Sequence, residues 1–142
     1  MKHTLCTLFL IMTLLAGCMS PTPVEETATP GNKYAPQPGD SGLTHEQVYL
    51  DSVELLTMES YPLQFMLVLR GNLPTPCHQL RVAVSEPDLK AQITVEVYSL
   101  ARPDTACAQV LEPFEANISL GSYPAGHYTL LVNGEEAAEF DA

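Results

Sequence analysis

An all-β fold, a single antiparallel β-sandwich of about seven strands, is predicted for residues 44–142 by three observations. Apolar side chains recur at every second position in run after run. Clusters of proline, glycine and asparagine separate these runs at near-regular spacing. No stretch keeps its apolar residues at the three-and-four spacing of a helix.

The first strand is expected across Val48–Leu56, and Thr44-His45-Glu46-Gln47 before it reads as a single turn. In the second run Leu63, Phe65, Leu67 and Leu69 alternate with Gln64, Met66, Val68 and Arg70, which puts the first set on a core and the second toward solvent. Gly71-Asn72-Leu73-Pro74 ends it. Leu80, Val82 and Val84 mark the third run, with Gln79, Arg81 and Ala83 on the solvent phase, and Glu86-Pro87-Asp88 closes it. Ile93, Val95 and Val97 carry the fourth as far as Arg102-Pro103-Asp104. Phe114, Ala116, Ile118 and Leu120 carry the fifth to Tyr123-Pro124-Ala125-Gly126, and Tyr128, Leu130 and Val132 the sixth. Asn133-Gly134 then predicts a type I′ hairpin into the closing run Glu136–Phe140, because both central residues of that turn need positive φ. The closing run is the expected sheet edge, with Glu135, Glu136 and Glu139 placed to oppose the addition of another strand.

Short strands in about 100 residues, with Gly121-Ser122-Tyr123-Pro124-Ala125-Gly126-His127-Tyr128 leading into the final hairpin, resemble the immunoglobulin-like and fibronectin-III-like sandwiches. The chain has no Trp, and neither Cys77 nor Cys107 falls within a run, so the central pin of antibody domains is missing from the pattern. A small β-barrel is the alternative closure, since alternation does not decide how sheets close.

Residues 18–43 hold five prolines and hardly any large apolar side chain, and they are read as a disordered tether. Extended, such a segment spans on the order of 75 Å. Upstream, Lys2 and His3 precede an apolar run from Leu5 to Ala16, the layout of a secretory signal. The run is well short of the roughly 20 residues that cross a bilayer as a helix. It closes on Leu15-Ala16-Gly17-Cys18, which resembles the lipobox of bacterial lipoproteins. That resemblance implies a signal peptide over residues 1–17 and a mature N-terminus at Cys18 carrying thioether-linked diacylglycerol and a further chain such as palmitate. Two acyl chains anchor stably. The expected location is therefore the cell membrane or the outer membrane, facing the periplasm or the exterior. Met19 in place of Asp implies, by the same resemblance, release from the inner membrane of a two-membrane host. A freely secreted protein is the other reading of the same run.

With Cys6 in the signal and Cys18 lipidated, Cys77 and Cys107 remain as an even pair, which an oxidising compartment turns into a disulfide. A formal charge of −11, from 6 Lys+Arg against 17 Asp+Glu, disfavours nucleic acid and anionic lipid as electrostatic partners. A basic partner stays open.

Catalytic patterns are missing from the sequence. There is no Gly-x-Ser-x-Gly, no glycine-rich phosphate loop and no His pair one helical turn apart. His45, His78 and His127 fall on different elements, so no metal and no cofactor is expected. Cys77 and His78 are adjacent, hence point apart, and a bonded sulfur cannot attack. The loop acids Asp88 and Asp104 lack a calcium-loop pattern. What remains is a non-enzymatic, monomeric domain that binds an envelope protein or peptide through loops of apolar content. The candidates are Tyr61, Pro74 and Pro76, and Tyr123 with Pro124; packing beneath strand ends is the competing reading for both tyrosines. A structural or assembly accessory of an envelope complex is the second expectation.

Overall fold

A computed structural model describes residues 32–142. The signal segment, Cys18 and the tether as far as residue 31 lie outside the described residues.

Eight strands form two packed sheets: β1 (Thr44–Gln47), β2 (Tyr49–Met58), β3 (Gln64–Leu73), β4 (Gln79–Val84), β5 (Gln92–Ala101), β6 (Glu112–Gly121), β7 (His127–Val132) and β8 (Glu135–Asp141). The expected runs are β2 to β8. The additional strand is β1, where a single turn was expected, and it pairs with Tyr98–Ala101 of β5. All four of its residues are exposed, so no alternating apolar signal marks it. Backbone pairing with β5 decides its conformation, not its side chains.

One sheet is β2–β3–β6, and the other gathers β1, β4, β7 and β8 around β5. One edge of β5 pairs with β4 along Gln79–Val84. Its other edge is shared, with β7 beside Gln92–Val95 and β1 beside Tyr98–Ala101. The β5–β7 pair is parallel, while every other described pair is antiparallel. Period two is the same for both directions, so the sequence pattern carries no trace of this exception.

Asn133 bridges the gap where β7 stops and β1 begins. Its φ of 50° and the 85° of Gly134 are the left-handed pair that the predicted hairpin turn requires. The Asn133 side chain then continues the ladder along β5, accepting from the Val97 N–H at 2.7 Å and donating to the Val97 carbonyl at 3.1 Å. Asn133→Ala removes both bonds and places a less tolerant residue at positive φ. We expect a loss of about 1–2 kcal/mol, read as a lower urea midpoint with an unchanged slope.

The core lies between the sheets, with Phe65, Leu67, Leu69, Ile93, Ile118 and Leu130 at its fully buried centre. Each such side chain contributes about 1.5–3 kcal/mol of burial. The phase of the core is the one the alternation predicts, with three departures. Val68, read as solvent-facing, is buried on the outward face of β3, the central strand of its sheet. Leu63 lies exposed in the β2–β3 turn, and Arg81, on the predicted solvent phase, is buried. Gly71 allows the start of β2 to approach closely, because a Cβ there collides with the Tyr49 carbonyl oxygen.

Arg81 is buried because residues 32–43 cross over it. The Tyr34 carbonyl accepts the Val82 N–H at 2.8 Å, and Asn32 Nδ2 donates to the Val82 carbonyl at 2.9 Å, which covers the outer edge of β4. A short 3-10 turn, Pro38–Gly42, then sets Asp40 against Arg81 in a bidentate pair, with Nε–Oδ2 and Nη2–Oδ1 both at 2.8 Å. Read from sequence as the end of the tether, this segment instead packs as part of the domain. One half-buried ring, Tyr34, and one ion pair order a stretch whose composition signals disorder.

Hydrogen bonds from Arg81 and from the Gln37 amide hold the Asp40 carboxyl down at about 2. A folded-state value below the unfolded one stabilises above about pH 4, and that contribution is lost as pH falls toward 2. The expected outcome is that the Val82 amide, corrected for intrinsic rate, exchanges faster across this window while Leu130 stays protected. Unchanged Val82 protection at pH 2 counts against the latch.

Candidate binding surfaces at the two ends of the sandwich

The register of β3 against β6 runs from Phe65 opposite Gly121 to Leu73 opposite Glu112, and it sorts the loops into two ends. Tyr61, Tyr123 and Pro124 share the first end. Pro74 and Pro76 stand at the second, so the structure does not bring all five candidates together.

At the first end Tyr123 is half-buried, with ring centroids 5.2 Å from Tyr128, 5.8 Å from Phe140 and 6.1 Å from Phe65. Burial, reinforced by the Glu86 charge, pushes its phenol up to about 12. The Tyr128 hydroxyl donates to the Pro124 carbonyl at 2.9 Å and fixes the turn. A cleft of about 420 Å³ opens beside them, lined by Glu86, Pro87, Ser122, Tyr123 and Pro124 among others. Tyr123 is thus a packing residue that also faces the cleft.

Tyr61 differs, since its ring is fully exposed. The Tyr61–Pro62 peptide is cis, and Ser60 Oγ donates to the Pro62 carbonyl at 2.8 Å. Leu56, Met58 and Leu63 around it are exposed as well. Leu56 pairs with Met66 and Met58 with Gln64, so Leu56 and Met58 share the outward face of their sheet. An apolar rim therefore surrounds the β2–β3 turn. Sequence reading picked out Tyr61 alone, because period two assigned Leu63 to the core and gave Leu56 no exposure.

At the second end Cys77 and Cys107 are disulfide-bonded with Cα atoms 6.1 Å apart, tying the β3–β4 loop to the β5–β6 loop. The bond forms one wall of a cleft of about 450 Å³ that Pro74 also lines, while Pro76 stays outside it. On its floor Thr75 Oγ1 and His78 Nδ1 share a 2.8 Å hydrogen bond, and His78 Nε2 lies 3.2 Å from Glu46 Oε2. The imidazole is 7% exposed. The Thr75–His78 hydrogen bond thus faces Glu46 of β1, whose carboxylate stands within ion-pair distance of Nε2 but makes no hydrogen bond to it. Thr75 also accepts the Cys77 N–H at 3.4 Å, and its carbonyl accepts the His78 N–H at 3.1 Å, so the hydroxyl is engaged in holding the turn. Thr-x-x-His spacing was the available sequence signal, overlooked beside the adjacent Cys77-His78.

Residues 67–142, more than half of the chain, match the family described as the ORF11 beta-sandwich domain. The chain belongs to the ORF11 beta-sandwich domain family. No curated protein and no solved structure matches it. The ORF11 span takes in β4 to β8 and most of β3, and with them both bonded cysteines, the Asn133-Gly134 turn, Tyr123 and Tyr128. The strap over Arg81, β1, β2 and Tyr61 precede it.

Two further features sit on the ORF11 sandwich. The histidines are scattered: His45 stacks on Tyr98 at 4.0 Å, His78 lies in the second-end cleft, and His127 bonds Asp141 at 2.9 Å, which raises its pKa. Among the described residues no three His, Cys, Asp or Glu side chains cluster as a metal site. Between the free edges of β2 and β8 runs a groove of about 440 Å³, whose walls include Asp51, Ser52, Val53, Glu135 and Glu136.

Proposed function

We propose that this chain is a lipid-anchored extracytoplasmic protein whose ORF11 sandwich binds a protein or peptide partner in the cell envelope, with recognition and not turnover as its task. The observation that carries the binding reading is the apolar rim of the β2–β3 hairpin, where Leu56, Met58, Leu63 and a fully exposed Tyr61 all stand exposed within eight residues of chain around one turn. Single exposed apolar residues are ordinary, but several on one hairpin together with an aromatic ring fit an interaction site. Support for the location comes from Leu15-Ala16-Gly17-Cys18 and from the Cys77–Cys107 bond, which suits an oxidising compartment. An accessory role within an envelope complex is the second reading, favoured by an anchor that fixes where the domain works.

Both halves are testable in cells. A photo-crosslinking residue at position 61 is expected to give a discrete adduct that Leu56→Glu and Met58→Glu together abolish. Absence of any adduct overturns the binding reading. Cys18→Ala is expected to move the protein from the detergent phase to the aqueous phase on phase separation, with its folded domain unchanged. Retention in the detergent phase overturns the anchor.

A further inference from the structure

The sandwich has five strand edges among the described residues, and they are not equally protected. That of β1 is only four residues long and carries Glu46. Tyr34 and Asn32 cover the edge of β4 through Val82. On β6, Pro113 lacks a donor and Glu112 and Glu115 flank it with charge. β8 carries Glu135, Glu136, Glu139 and Asp141, with only alanines and one buried Phe140 between them. β2 is the exception. Among the described residues it pairs with β3 alone, and its backbone is free along the other side.

The acids of β2 are already engaged, as Asn72 donates to Asp51 at 2.9 Å and Arg70 lies 3.7 Å from Glu54. A register shift between Leu50 and Ser52 breaks the ladder at Asp51, which leaves Ser52–Met58 as the regular stretch of edge. Leu56 and Met58 stand exposed along it. A groove meets this stretch at its Ser52–Val53 end, where Glu135 and Glu136 form the far wall, and none of its lining residues is basic.

We propose that β2 is an acceptor edge, to which an extended partner strand bearing lysine or arginine adds by main-chain hydrogen bonds. Alternate side chains of that strand meet Leu56 and Met58, while its cationic side chains meet Glu135 and Glu136. A second copy of this chain is the poorer occupant, because each copy carries −11 and self-pairing brings acidic walls together. This inference rests on the partner-binding reading and specifies its mode.

The test uses the full chain in detergent and two blocked decapeptides, one alternating valine with lysine and one alternating valine with glutamate. Hydrogen exchange is expected to slow several-fold at Ser52–Met58 with the lysine peptide and not with the glutamate peptide. Glu135→Gln and Glu136→Gln are each expected to weaken that binding about two- to five-fold, and added salt to weaken it further. Protection on β6 or β8 instead, equal effects of both peptides, no protection at millimolar peptide, or a β2-paired dimer without peptide each overturns the proposal. A position-61 adduct in cells without β2 protection removes the strand-addition mode and leaves partner binding standing. Loss of both removes both.

Discussion

Replacing Cys77 and Cys107 together by alanine is expected to lower the unfolding temperature by roughly 15–25 °C. The cysteines are 30 residues apart in sequence, and closing a loop of that length removes unfolded-state entropy equivalent to about 3–4 kcal/mol. A domain of this size shifts by about 4–8 °C for each kcal/mol. The total stability of such a domain is typically about 5–15 kcal/mol, so the bond accounts for a large share. The loss also has a place. With the wall of the second-end cleft unpinned, the turn that holds Thr75 against His78 loosens, and His78 amide exchange is expected to rise before that of Leu130. Thermal unfolding of the oxidised, reduced and double-alanine proteins measures the effect, and a shift under about 5 °C contradicts it.

Phe65→Ala is expected to cost about 3–5 kcal/mol, the range for deleting an enclosed aromatic ring. Phe65 is 1% exposed and lies 4.3 Å from Phe140 between ring centroids, while Tyr123 and Tyr128 complete the cluster. The cavity lies directly beneath the first-end cleft, so the damage extends beyond global stability. Tyr123 is held at about 12 chiefly by burial, and a looser cluster lets water reach its phenol. Its ionisation should then move down toward the ordinary value near 10. Ultraviolet titration of Phe65→Ala against Tyr123→Phe isolates this one group. The sign of the stability effect follows. In the parent protein stability is full below about pH 10 and lost as pH rises toward 12, and Phe65→Ala flattens that loss. A Tyr123 titration that does not move, in a variant that still folds, contradicts the cluster's role.

The parts of the fold legible in sequence are those with an apolar face to show. Leu67, Leu69, Ile93, Val95, Ile118 and Leu130 alternate cleanly and are all buried. Asn133-Gly134 announces its turn because few residues tolerate positive φ twice in succession. By contrast β1 has no buried residue, the parallel β5–β7 pair shares its period with any antiparallel one, and the strap is built from prolines, glycines and a single ion pair. The same division runs through the candidate sites. Tyr61 stands out in sequence as an aromatic beside a turn, whereas the groove between β2 and β8 exists only through tertiary placement. Glu135 and Glu136, read locally as guards of their own strand, acquire a second relation once β2 lies opposite them.

Any tension arriving along the chain from before Asn32 enters the domain at Val82, through the bonds that Asn32 and Tyr34 make there, and passes next to Arg81 and Asp40. Those attachments are few beside the β4–β5 ladder. They therefore give way first, like a mechanical fuse, while both sheets stay folded. Residues 32–43 then pay out as added slack on the order of 40 Å. If Cys18 fixes the far end to a bilayer, the domain has a reserve of reach that load releases, and it recovers that length when Asp40 finds Arg81 again.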